Sequence, residues 1–511
     1  MGISPLSSEC FKGWVRKSRS IRLKTQFQAN LGKQPICANF WISASLFRSE
    51  LFMRYTVEEL ARAVDGEVFD VEESATVTGV STDSRHVKTG DAFVAIKGDK
   101  FDGHDFTGSA IVNGAVVCIV ERGRRYYGLP RIEVADTLIA LGHLAKFHRI
   151  RTAPHAKAIG ITGSVGKTTT KELIALVLER KFNVTKSPKS FNNAVGLPPT
   201  LLRVSETTEF IISEVGTNHP GEIAYLAARL RPDVAVLTRI GYAHIGFFGS
   251  TKAIAHEKAD LFRILPSGGL AVLNAESPHI DVFKKSIPEG VEIMTYGLCK
   301  SVDVAAEAVE PLGFNITKFR ALGVDFKVNL PLSLIENALA AIAVGHALGI
   351  PVEEIRDALS EFKGMPMRME ITEIEGVTIV NDAYNANPDS MTALFRTFSA
   401  HPNKDKLIFV LGDMLELGDF SEQLHREVGR AFVDAGFKRL VAVGKQARFI
   451  AEEAMLGGAK VFYFEKVDDV ADLLVAMLRQ GDTLVLKASR RMQLEKIVEE
   501  LKNALPSALS A

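Results

Sequence analysis

Short apolar runs alternate with amphipathic stretches along most of this chain, a pattern that predicts an α/β fold. From residue 156 onward the runs are about four or five residues long, and stretches of helical period separate them. Such alternation is typical of mainly parallel sheets with helices on their faces. The predicted strands are 156–159, 210–213, 234–238, 270–273, 377–380, 407–411, 440–443, 461–464 and 483–486.

The region before residue 156 has a different pattern. A threonine cap and an acidic first turn predict a helix over 56–64, and apolar runs at 92–96 and 115–120 predict two strands. The polar segment 98–106, rich in turn residues, lies between these strands. We interpret this region as a small α/β domain.

The pattern divides the chain into three folded units. With 511 residues, 47% of them apolar, the chain is long enough to bury roughly two to four cores. We predict an N-terminal domain over 55–155, a central domain with a mainly parallel sheet over 156–365, and a C-terminal domain over 366–511. In the C-terminal domain, five strands and intervening helices predict a doubly wound, Rossmann-like fold. The helices predicted there include 421–435, 467–479 and 492–503.

Residues 1–54 differ from the rest of the chain in charge. They contain nine basic and two acidic residues, a net charge of +7, and are rich in serine. A leader of this composition resembles an organelle transit peptide. Because the leader begins without a clear amphipathic arginine helix, we expect a chloroplast or another plastid rather than a mitochondrion. The alternatives are a disordered basic tail that stays attached and a cytoplasmic protein.

Bulk composition argues against several other classes of protein. The formal net charge of the whole chain is zero, which does not favour non-specific binding to nucleic acid. No apolar run is long enough for a membrane span or a signal-peptide core. The four cysteines lack the spacing of a zinc site and do not suggest a disulfide framework. They are Cys10, Cys37, Cys118 and Cys299.

The most informative motif is the glycine-rich segment 160–170, which we call the phosphate loop. It lies between a predicted strand and a predicted helix, so its backbone N–H groups and the helix N-terminus point at one spot. Lys167 can then reach the outer phosphates of a nucleotide, and the Thr168 hydroxyl can ligate Mg²⁺. The spacing departs from the standard motif, whose first glycine would stand at Ile161. We predict chemistry that consumes ATP; a turn that only caps a helix is the alternative.

Further polar residues follow predicted strands of the central domain, where open α/β sheets bind their ligands. Asn192 and Asn193 lie in a turn-rich segment, and Glu214 directly follows the predicted strand 210–213. A carboxylate at this place suits Mg²⁺ that bridges phosphates. His244 and Lys258 follow the next strand. Each alone has a structural alternative, a core histidine or a solvated surface lysine for example, and their joint occurrence favours a site.

Several segments together resemble one family. Residues 162–169 match its ATP loop, and 381–391 and 411–418 resemble segments of the members that add D-alanyl-D-alanine. The segment 82–85, with 90–91 and 101–103, resembles the part that holds a UDP-sugar. On these residues the chain, over about 55–511, is similar to the Mur ligases, the ATP-dependent amide-forming enzymes of peptidoglycan synthesis.

The resemblance implies a role for each matching residue. Lys167, Glu214, His244 and Lys258 would be catalytic. Thr168 and Glu214 would ligate one Mg²⁺, His244 would help to hold a second, and a carbamylated Lys258 would supply a metal-binding carboxylate. The residues that would bind ATP are Gly163, Ser164, Gly166, Lys167, Thr168, Thr169, Asn274, Asn337, Arg368 and Asp382. The residues that would bind the other substrates are Thr82, Asp83, Ser84, Arg85, Asn192, Asn193, Tyr384, Asn385 and Asn387.

The implied reaction joins D-alanyl-D-alanine to UDP-N-acetylmuramoyl-tripeptide through an acyl phosphate, with ATP and Mg²⁺. The implied architecture has three domains: a small UDP-substrate domain, a central ATPase domain and a C-terminal Rossmann-like domain. We expect a monomer that binds these small molecules and neither nucleic acid nor membrane.

Two segments depart from the family pattern. Pro331 stands where the family has glycine, and Ser333-Leu334 replace a His-Asn pair. Ala488-Ser489-Arg490 stands where Gly-Ser-Arg is more usual. The first departure puts nucleotide affinity or hinge geometry in doubt. We expect a helix-compatible backbone to tolerate Ala488. Two other functions stay open, a catalytically weakened relative that acts as an organelle structural or division factor, and a ligase with a different amino-acid acceptor.

Overall fold

The structure is a computed structural model that describes residues 53–98 and 100–509. Nearly all of the leader 1–54, and with it the transit-peptide prediction, lies outside these residues. The described residues form five β-sheets, and three of these are the centres of successive α/β layers along the chain.

The first layer contains a five-stranded sheet in the order β2-β7-β6-β5-β4, in which only the edge strand β2 is antiparallel. Strand β1 pairs with β3 in a separate two-stranded sheet. The strands are β1 Tyr55–Thr56, β2 Glu67–Phe69, β3 Thr76–Val77, β4 Gly79–Ser81, β5 Asp91–Val94, β6 Val117–Glu121 and β7 Arg131–Val134. The helices are α1 Val57–Val64, α2 Thr107–Val112 and α3 Thr137–Thr152.

The predicted helix 56–64 is confirmed as α1. The Thr56 side chain accepts a hydrogen bond from the Glu59 N–H group, and Glu59 accepts one from Thr56 N, so a reciprocal capping box starts the helix. The two strands predicted for this domain are confirmed as β5 and β6, within two or three residues at their ends.

The second layer contains a seven-stranded, entirely parallel sheet in the order β14-β13-β12-β11-β8-β10-β9, which confirms the predicted parallel sheet. The strands are β8 Lys157–Thr162, β9 Val184–Lys186, β10 Phe210–Glu214, β11 Val234–Leu237, β12 Leu270–Asn274, β13 Glu292–Gly297 and β14 Val304–Ala305. A small antiparallel sheet follows, formed by β15 Glu307–Pro311, β16 Thr317–Ala321 and β17 Val324–Val328. The helices are α4 Lys167–Leu178, α5 Leu197–Leu201, α6 Glu222–Leu230, α7 Ile245–Phe248, α8 Thr251–Arg263, α9 Ile280–Ser286, α10 Ile335–Ala347 and α11 Val352–Ser360.

One detail of the phosphate loop was predicted wrongly. Strand β8 continues to Thr162, so Gly160 lies inside the strand and the turn starts at Gly163. A Cβ atom at Gly160 would lie 2.9 Å from Leu261 Cδ1. Gly160 therefore lets α8 pack closely on the central strand of the sheet.

The third layer contains a six-stranded sheet in the order β18-β19-β23-β20-β21-β22. The strands are β18 Glu370–Ile374, β19 Val377–Asn381, β20 Leu407–Gly412, β21 Arg439–Val443, β22 Lys460–Phe464 and β23 Thr483–Lys487. The helices are α12 Pro388–Ser399, α13 Ser421–Asp434, α14 Ala447–Leu456, α15 Val470–Met477 and α16 Glu495–Leu509.

The five predicted strands of this layer are confirmed and are parallel. The sequence prediction missed β18, which pairs antiparallel with β19 and makes the sheet mixed. The predicted helix 467–479 is shorter in the structure, at Val470–Met477. Residues 370–374 are only partly buried, so this edge strand lacks the continuous apolar run by which the other strands were found.

The layers pack against one another. One connected cluster of buried apolar side chains extends from Leu144 in α3 through Leu226 in α6 to Met391 in α12. The third layer is therefore docked on the second, at the edge where the phosphate loop lies. Over the described residues, the helices are all too short or too polar to cross a lipid bilayer.

Candidate functional site

The phosphate loop makes its turn with two glycines in the left-handed region, Gly163 at φ +148° and Gly166 at φ +85°. Side chains fill the space around both: a Cβ atom at Gly163 would collide with the Thr238 hydroxyl, and one at Gly166 with the Asn337 amide. No side chain caps the N-terminus of α4, which begins directly after Gly166. The free N–H groups of its first turn form a site for an anion.

Lys167 lies across this turn. Its Nζ donates a hydrogen bond of 2.6 Å to the Gly163 carbonyl oxygen. Burial lowers the pKa of Lys167 to about 8, and the nearby Glu214 carboxylate opposes this shift. The lysine is thus held at the place where an outer phosphate would sit, ready to exchange a carbonyl for a phosphate oxygen.

Thr168 is bonded to a residue of the third layer. Its hydroxyl lies 2.9 Å from the Ser190 hydroxyl and accepts a hydrogen bond of 2.8 Å from Arg368 Nη2. The Arg368 guanidinium also lies 4.1 Å from the centre of the Tyr384 ring. The predicted residue Arg368 therefore does reach the phosphate loop, and the predicted residue Tyr384 contacts Arg368. Ser190 was missed as a site residue, although it begins the turn-rich segment that contains Asn192 and Asn193.

Glu214 is the last residue of β10 and lies beside Ile161 of β8 in the sheet register. It is 1% exposed, and its Oε1 accepts no hydrogen bond from the residues that the structure describes. The nearest cation is Lys171, whose Nζ lies 3.7 Å away and donates to the carbonyl oxygens of Ser187 and Lys189. A buried carboxylate oxygen without a donor fits a metal ligand.

The donor set fits Mg²⁺ that arrives with a nucleotide. Within 53–98 and 100–509, three or more His, Cys, Asp or Glu side chains do not come together to hold a metal by themselves. Thr168 and Glu214 would contribute single oxygen ligands, as is usual for Mg²⁺, which keeps waters and phosphate oxygens in its coordination shell.

Lys258 lies in the middle of α8 and is 1% exposed, so the alternative of a solvated surface lysine is wrong. Its Nζ makes neither a hydrogen bond nor an ion pair with any residue that the structure describes. Burial, and next the positive charge of Lys167, hold the pKa of Lys258 well below its usual range. The amine is therefore neutral at lower pH than an ordinary lysine, which is the state that reacts with an electrophile such as CO₂.

His244 adopts a left-handed backbone conformation, φ +63°, just before α7. Its Nδ1 lies 2.6 Å from Glu416 Oε2, a charge contact whose angles are not those of a hydrogen bond. Burial lowers the pKa of His244, and the adjacent His244 lowers the pKa of Glu416. Glu416 lies in the segment 411–418 and was missed as a site residue, so this segment supplies a direct contact to the predicted metal ligand.

Asn274 and Asn337 lie on the other side of the loop. Asn274 Nδ2 donates to Glu336 at 3.1 Å, and Asn337 Oδ1 accepts a hydrogen bond of 3.2 Å from Thr170. Asn337 Nδ2 is buried and has no partner among the described residues. Glu336 was missed by sequence reasoning; burial raises the pKa of its carboxyl group. An unpaired amide beside the phosphate loop is a group that a nucleotide could bind.

The altered segment 330–337 forms a short 3₁₀ turn at Leu332–Leu334 that leads into α10. Ser333 Oγ lies 2.7 Å from Thr397 Oγ1 in α12 of the third layer. The second departure from the family pattern is harmless to the backbone, because Ala488 does not have a positive φ. The tolerance expected for Ala488 stays a prediction.

The predicted UDP-sugar residues lie on the first sheet, away from the strands that carry the phosphate loop. Asp83 starts a 3₁₀ turn at Ser84–His86, and its hydrogen bonds from Arg85 hold its pKa at about 2. The segment follows β4, and residues 101–103 follow β5, at the carboxyl edge of this parallel part of the sheet. They stay predictions for a substrate.

Two predicted ligand residues, Asp382 and Asn387, make hydrogen bonds within the third layer itself. Asp382 accepts a hydrogen bond of 2.6 Å from Lys487 Nζ and another from Met369 N. Asn387 caps α12 through a hydrogen bond of 2.8 Å from Ser390 N. Asn385 is exposed. The structure thus gives Asp382 and Asn387 a local role beside the predicted ligand role.

Asn192 and Asn193 also make local contacts. The Asn192 carbonyl oxygen accepts a hydrogen bond of 2.8 Å from Gly216 N. Asn193 Oδ1 accepts one of 2.8 Å from Gly196 N, in the turn before α5. Both side chains are half-buried, and the first contact joins this turn to the segment that follows Glu214.

Comparisons with known proteins agree with this geometry. Residues 76–149 match the family model "Mur ligase family, catalytic domain", 161–345 match "Mur ligase middle domain", and 367–490 match "Mur ligase, glutamate ligase domain". The chain is 34% identical over 463 residues to the UDP-N-acetylmuramoyl-tripeptide--D-alanyl-D-alanine ligase of Bacillus subtilis, covering 88% of this chain and 98% of that protein.

Solved structures give the same result. MurF from Acinetobacter baumannii superposes with a TM-score of 0.81 and 30% identity, covering 88% of this chain and 99% of that one. MurF ligase from Thermotoga maritima in complex with ADP gives a TM-score of 0.74 and 29% identity, covering 84% of this chain and 98% of that one. With the shared three-part fold and the phosphate loop in place, the chain belongs to the Mur ligase family.

Proposed function

We propose that this protein is the ATP-dependent, ADP-forming ligase that joins D-alanyl-D-alanine to UDP-N-acetylmuramoyl-tripeptide, the reaction named for its relatives. The observation that carries the proposal is the bond between Arg368 of the third layer and Thr168 of the phosphate loop. It brings a second domain onto the nucleotide site, where Lys167, Glu214 and Lys258 meet. A site closed in this way suits a reaction that must exclude water.

The chemistry follows from charge. A carboxylate is a poor acyl donor because its leaving group would be oxide. Attack of one carboxylate oxygen on the γ-phosphorus of ATP releases ADP and gives an acyl phosphate, whose leaving group is phosphate. The amine of D-alanyl-D-alanine then attacks the acyl carbon, loses a proton, and expels phosphate to leave an amide. Mg²⁺, when bound, would neutralise charge on the triphosphate.

The residues of this chain orient the reactants. The N–H groups at the start of α4 hold phosphate oxygens, and Lys167 offsets the negative charge that repels the substrate carboxylate. Glu214 and Thr168 supply oxygen ligands for the cation. With the third layer docked, Arg368 would lie beside the phosphates, and the layer would cover the acyl phosphate, which water would otherwise hydrolyse.

Three assays test the proposal. Purified protein is incubated with UDP-N-acetylmuramoyl-tripeptide, D-alanyl-D-alanine and Mg-ATP, and phosphate release is measured. We expect release that depends on both substrates. A diamino acid in place of D-alanyl-D-alanine tests the alternative acceptor and should support little release. Binding of ATP without any substrate-dependent release of phosphate would instead favour a catalytically weakened relative. The altered segment 330–337 is the observation that motivates this alternative.

We propose in addition that residues 1–54 direct the protein to a plastid and that it acts there as a monomer. The charge and serine content of the leader support the first proposal. The second rests on the layers of a single chain bringing Arg368 to Thr168 and Glu416 to His244. A fusion of residues 1–54 to a fluorescent protein should enter plastids, and cytosolic fluorescence would contradict the proposal. Light scattering of the purified protein should give the mass of one chain rather than two.

A further inference from the structure

Asp389, the second residue of α12, reaches from the third layer to the backbone that supports the phosphate loop. Its Oδ2 accepts a hydrogen bond of 2.7 Å from the Tyr242 N–H group. The carboxylate is largely enclosed, and burial raises its pKa, with the Tyr242 N–H group and Arg239 opposing the shift. An acidic side chain of the third layer thus accepts a hydrogen bond from a backbone N–H group of the central layer.

Gly241 makes room for this contact. A Cβ atom at Gly241 would collide with the Asp389 carboxylate, and the three nearest atoms to such a Cβ all belong to Asp389. Gly241 does not have a positive φ. The glycine is therefore needed for the approach of the carboxylate and not for the shape of the backbone.

The segment 238–241 is joined to the phosphate loop by several hydrogen bonds. Ser164 N donates to the Arg239 carbonyl oxygen at 2.7 Å, and Ser164 Oγ donates to the Gly241 carbonyl oxygen at 3.1 Å. Thr238 Oγ1 donates to the Val165 carbonyl oxygen at 2.6 Å. The backbone then continues through Tyr242, whose N–H group Asp389 binds, to His244. Asp389 therefore contacts backbone that connects the partners of the phosphate loop with His244.

Helix α12 has a second contact with the central layer at its other end. Thr397 meets Ser333, and the Phe398 ring lies 5.4 Å from the Phe314 ring. These contacts also hold the third layer in place, but they do not touch the segment 238–241. Variants of Asp389 and of Thr397, at the two ends of α12, can therefore be compared. Both weaken docking of the third layer, but only a change of Asp389 removes the contact with Tyr242.

We propose that Asp389 is a positioning residue, through which docking of the third layer fixes the segment 238–244 and with it the phosphate loop and His244 for phosphoryl transfer. The catalytic part of this proposal rests on the proposed ligase function. The hydrogen bond of Asp389 is to Tyr242 N, outside the phosphate loop. Its loss should therefore lower kcat much more than it raises the dissociation constant of ATP.

The test compares Asp389→Ala, Asp389→Asn and the control Thr397→Val in the full chain. We expect Asp389→Ala to lower kcat by about tenfold to a hundredfold, the range seen when reacting groups are slightly misplaced. Asp389→Asn should recover most of kcat, because its amide oxygen can still accept from Tyr242 N. Thr397→Val should have the smaller effect on kcat.

Gly241→Ala gives an independent check. Its methyl group should displace the carboxylate and reduce kcat as Asp389→Ala does, whereas in the Asp389→Ala background it should add little. Additive losses would overturn the proposal, as would an unchanged kcat in Asp389→Ala. Equal losses of kcat in Asp389→Ala and Thr397→Val would show that Asp389 only helps to dock the third layer. That result would also overturn the proposal.

Hydrogen exchange measured without substrates separates this proposal from the ligase function. Asp389→Ala should speed exchange of the amides in 241–245 and, less strongly, in 163–166, while Thr397→Val leaves them unchanged. If the wild-type protein made no ADP with either acceptor, the ligase proposal would fail. The exchange rates would still show whether the contact of Asp389 with Tyr242 orders the segment 241–245. Unchanged exchange in Asp389→Ala would reject the positioning role in either case.

Discussion

The central layer and the third layer use their polar residues in opposite ways. In the central layer, Glu214 and Lys258 are almost fully buried, Glu214 Oε1 has no hydrogen-bond donor among the described residues, and burial lowers the pKa of Lys258. In the third layer, Asp382 is bonded to Lys487 and Asn387 caps a helix. Groups left unpaired at a cost in stability are candidates for ligand contacts, whereas paired groups already stabilise their own domain.

The contacts between the two layers show the same difference between unpaired groups in the central layer and charged groups supplied by the third. Arg368 and Glu416, both from the third layer, reach Thr168 and His244 of the central layer. The central layer thus supplies a partly unsatisfied nucleotide site, and the third layer supplies the charges that complete it. The following predictions test this division, beginning with the largest expected effect.

Lys167→Met should reduce kcat by about 10³-fold or more, the scale of a cation that stabilises a transferring phosphoryl group. The melting temperature should not fall, because the variant removes a half-buried cation and leaves the fold's apolar contacts in place. Steady-state release of ADP and thermal unfolding measure the two effects. A kcat within tenfold of the wild-type value would place phosphate binding elsewhere.

Lys258→Ala should reduce kcat by on the order of 10²- to 10³-fold, the usual cost of one electrostatic group in an active site. Lys252→Ala is the matched control, since Lys252 lies on the same helix and is exposed. It should leave kcat unchanged. Similar values for the two variants would show that burial of Lys258 has no catalytic purpose.

The affinity for ATP should weaken as pH rises above about 8. Burial lowers the pKa of Lys167 to about 8 in the free protein, so the lysine loses its charge above that pH and must regain a proton to bind the triphosphate. The dissociation constant should then increase by up to about tenfold per pH unit. Lys167→Met should bind more weakly and lack this slope; an identical slope in the variant would assign the pH dependence to another group.

Asn387→Ala should lower the free energy of unfolding by about 1 kcal/mol, the typical value of a helix cap. Because the side chain is bonded within its own domain, the KM for D-alanyl-D-alanine should change little. The exposed Asn385 is the control; its Oδ1 accepts a hydrogen bond from Ala386 N but caps no helix, so Asn385→Ala should cost less stability than Asn387→Ala. A large rise in KM with normal stability for Asn387→Ala would restore its predicted role as a substrate ligand.

Much of this architecture could be predicted because its strands are apolar throughout. Strands such as β10 and β20 are buried on both faces, and their ends locate Glu214 and the segment 411–418. The phosphate loop could be recognised because Gly163 and Gly166 make a turn at positive φ, which other residues adopt only with strain. Edge strand β18 was missed since its half-exposed pattern resembles a loop.

The contacts between layers could not be predicted. Ser190, Glu336 and Glu416 became visible only when strands far apart in sequence met at one edge. The same holds for Asp389, which in the sequence is an ordinary acidic residue in the first turn of a helix. Glu416 and Asp389 have no local signal, because their partners His244 and Tyr242 lie more than a hundred residues away in the chain.

The central claim is that a substrate carboxylate attacks ATP within the site that the two layers form together. It is tested most directly with a UDP-N-acetylmuramoyl-tripeptide whose reacting carboxylate carries ¹⁸O in both positions. Phosphate released during amide formation is analysed by mass spectrometry. An acyl phosphate requires that each phosphate carry one ¹⁸O atom from the carboxylate. Unlabelled phosphate, released in step with the amide, would contradict the account.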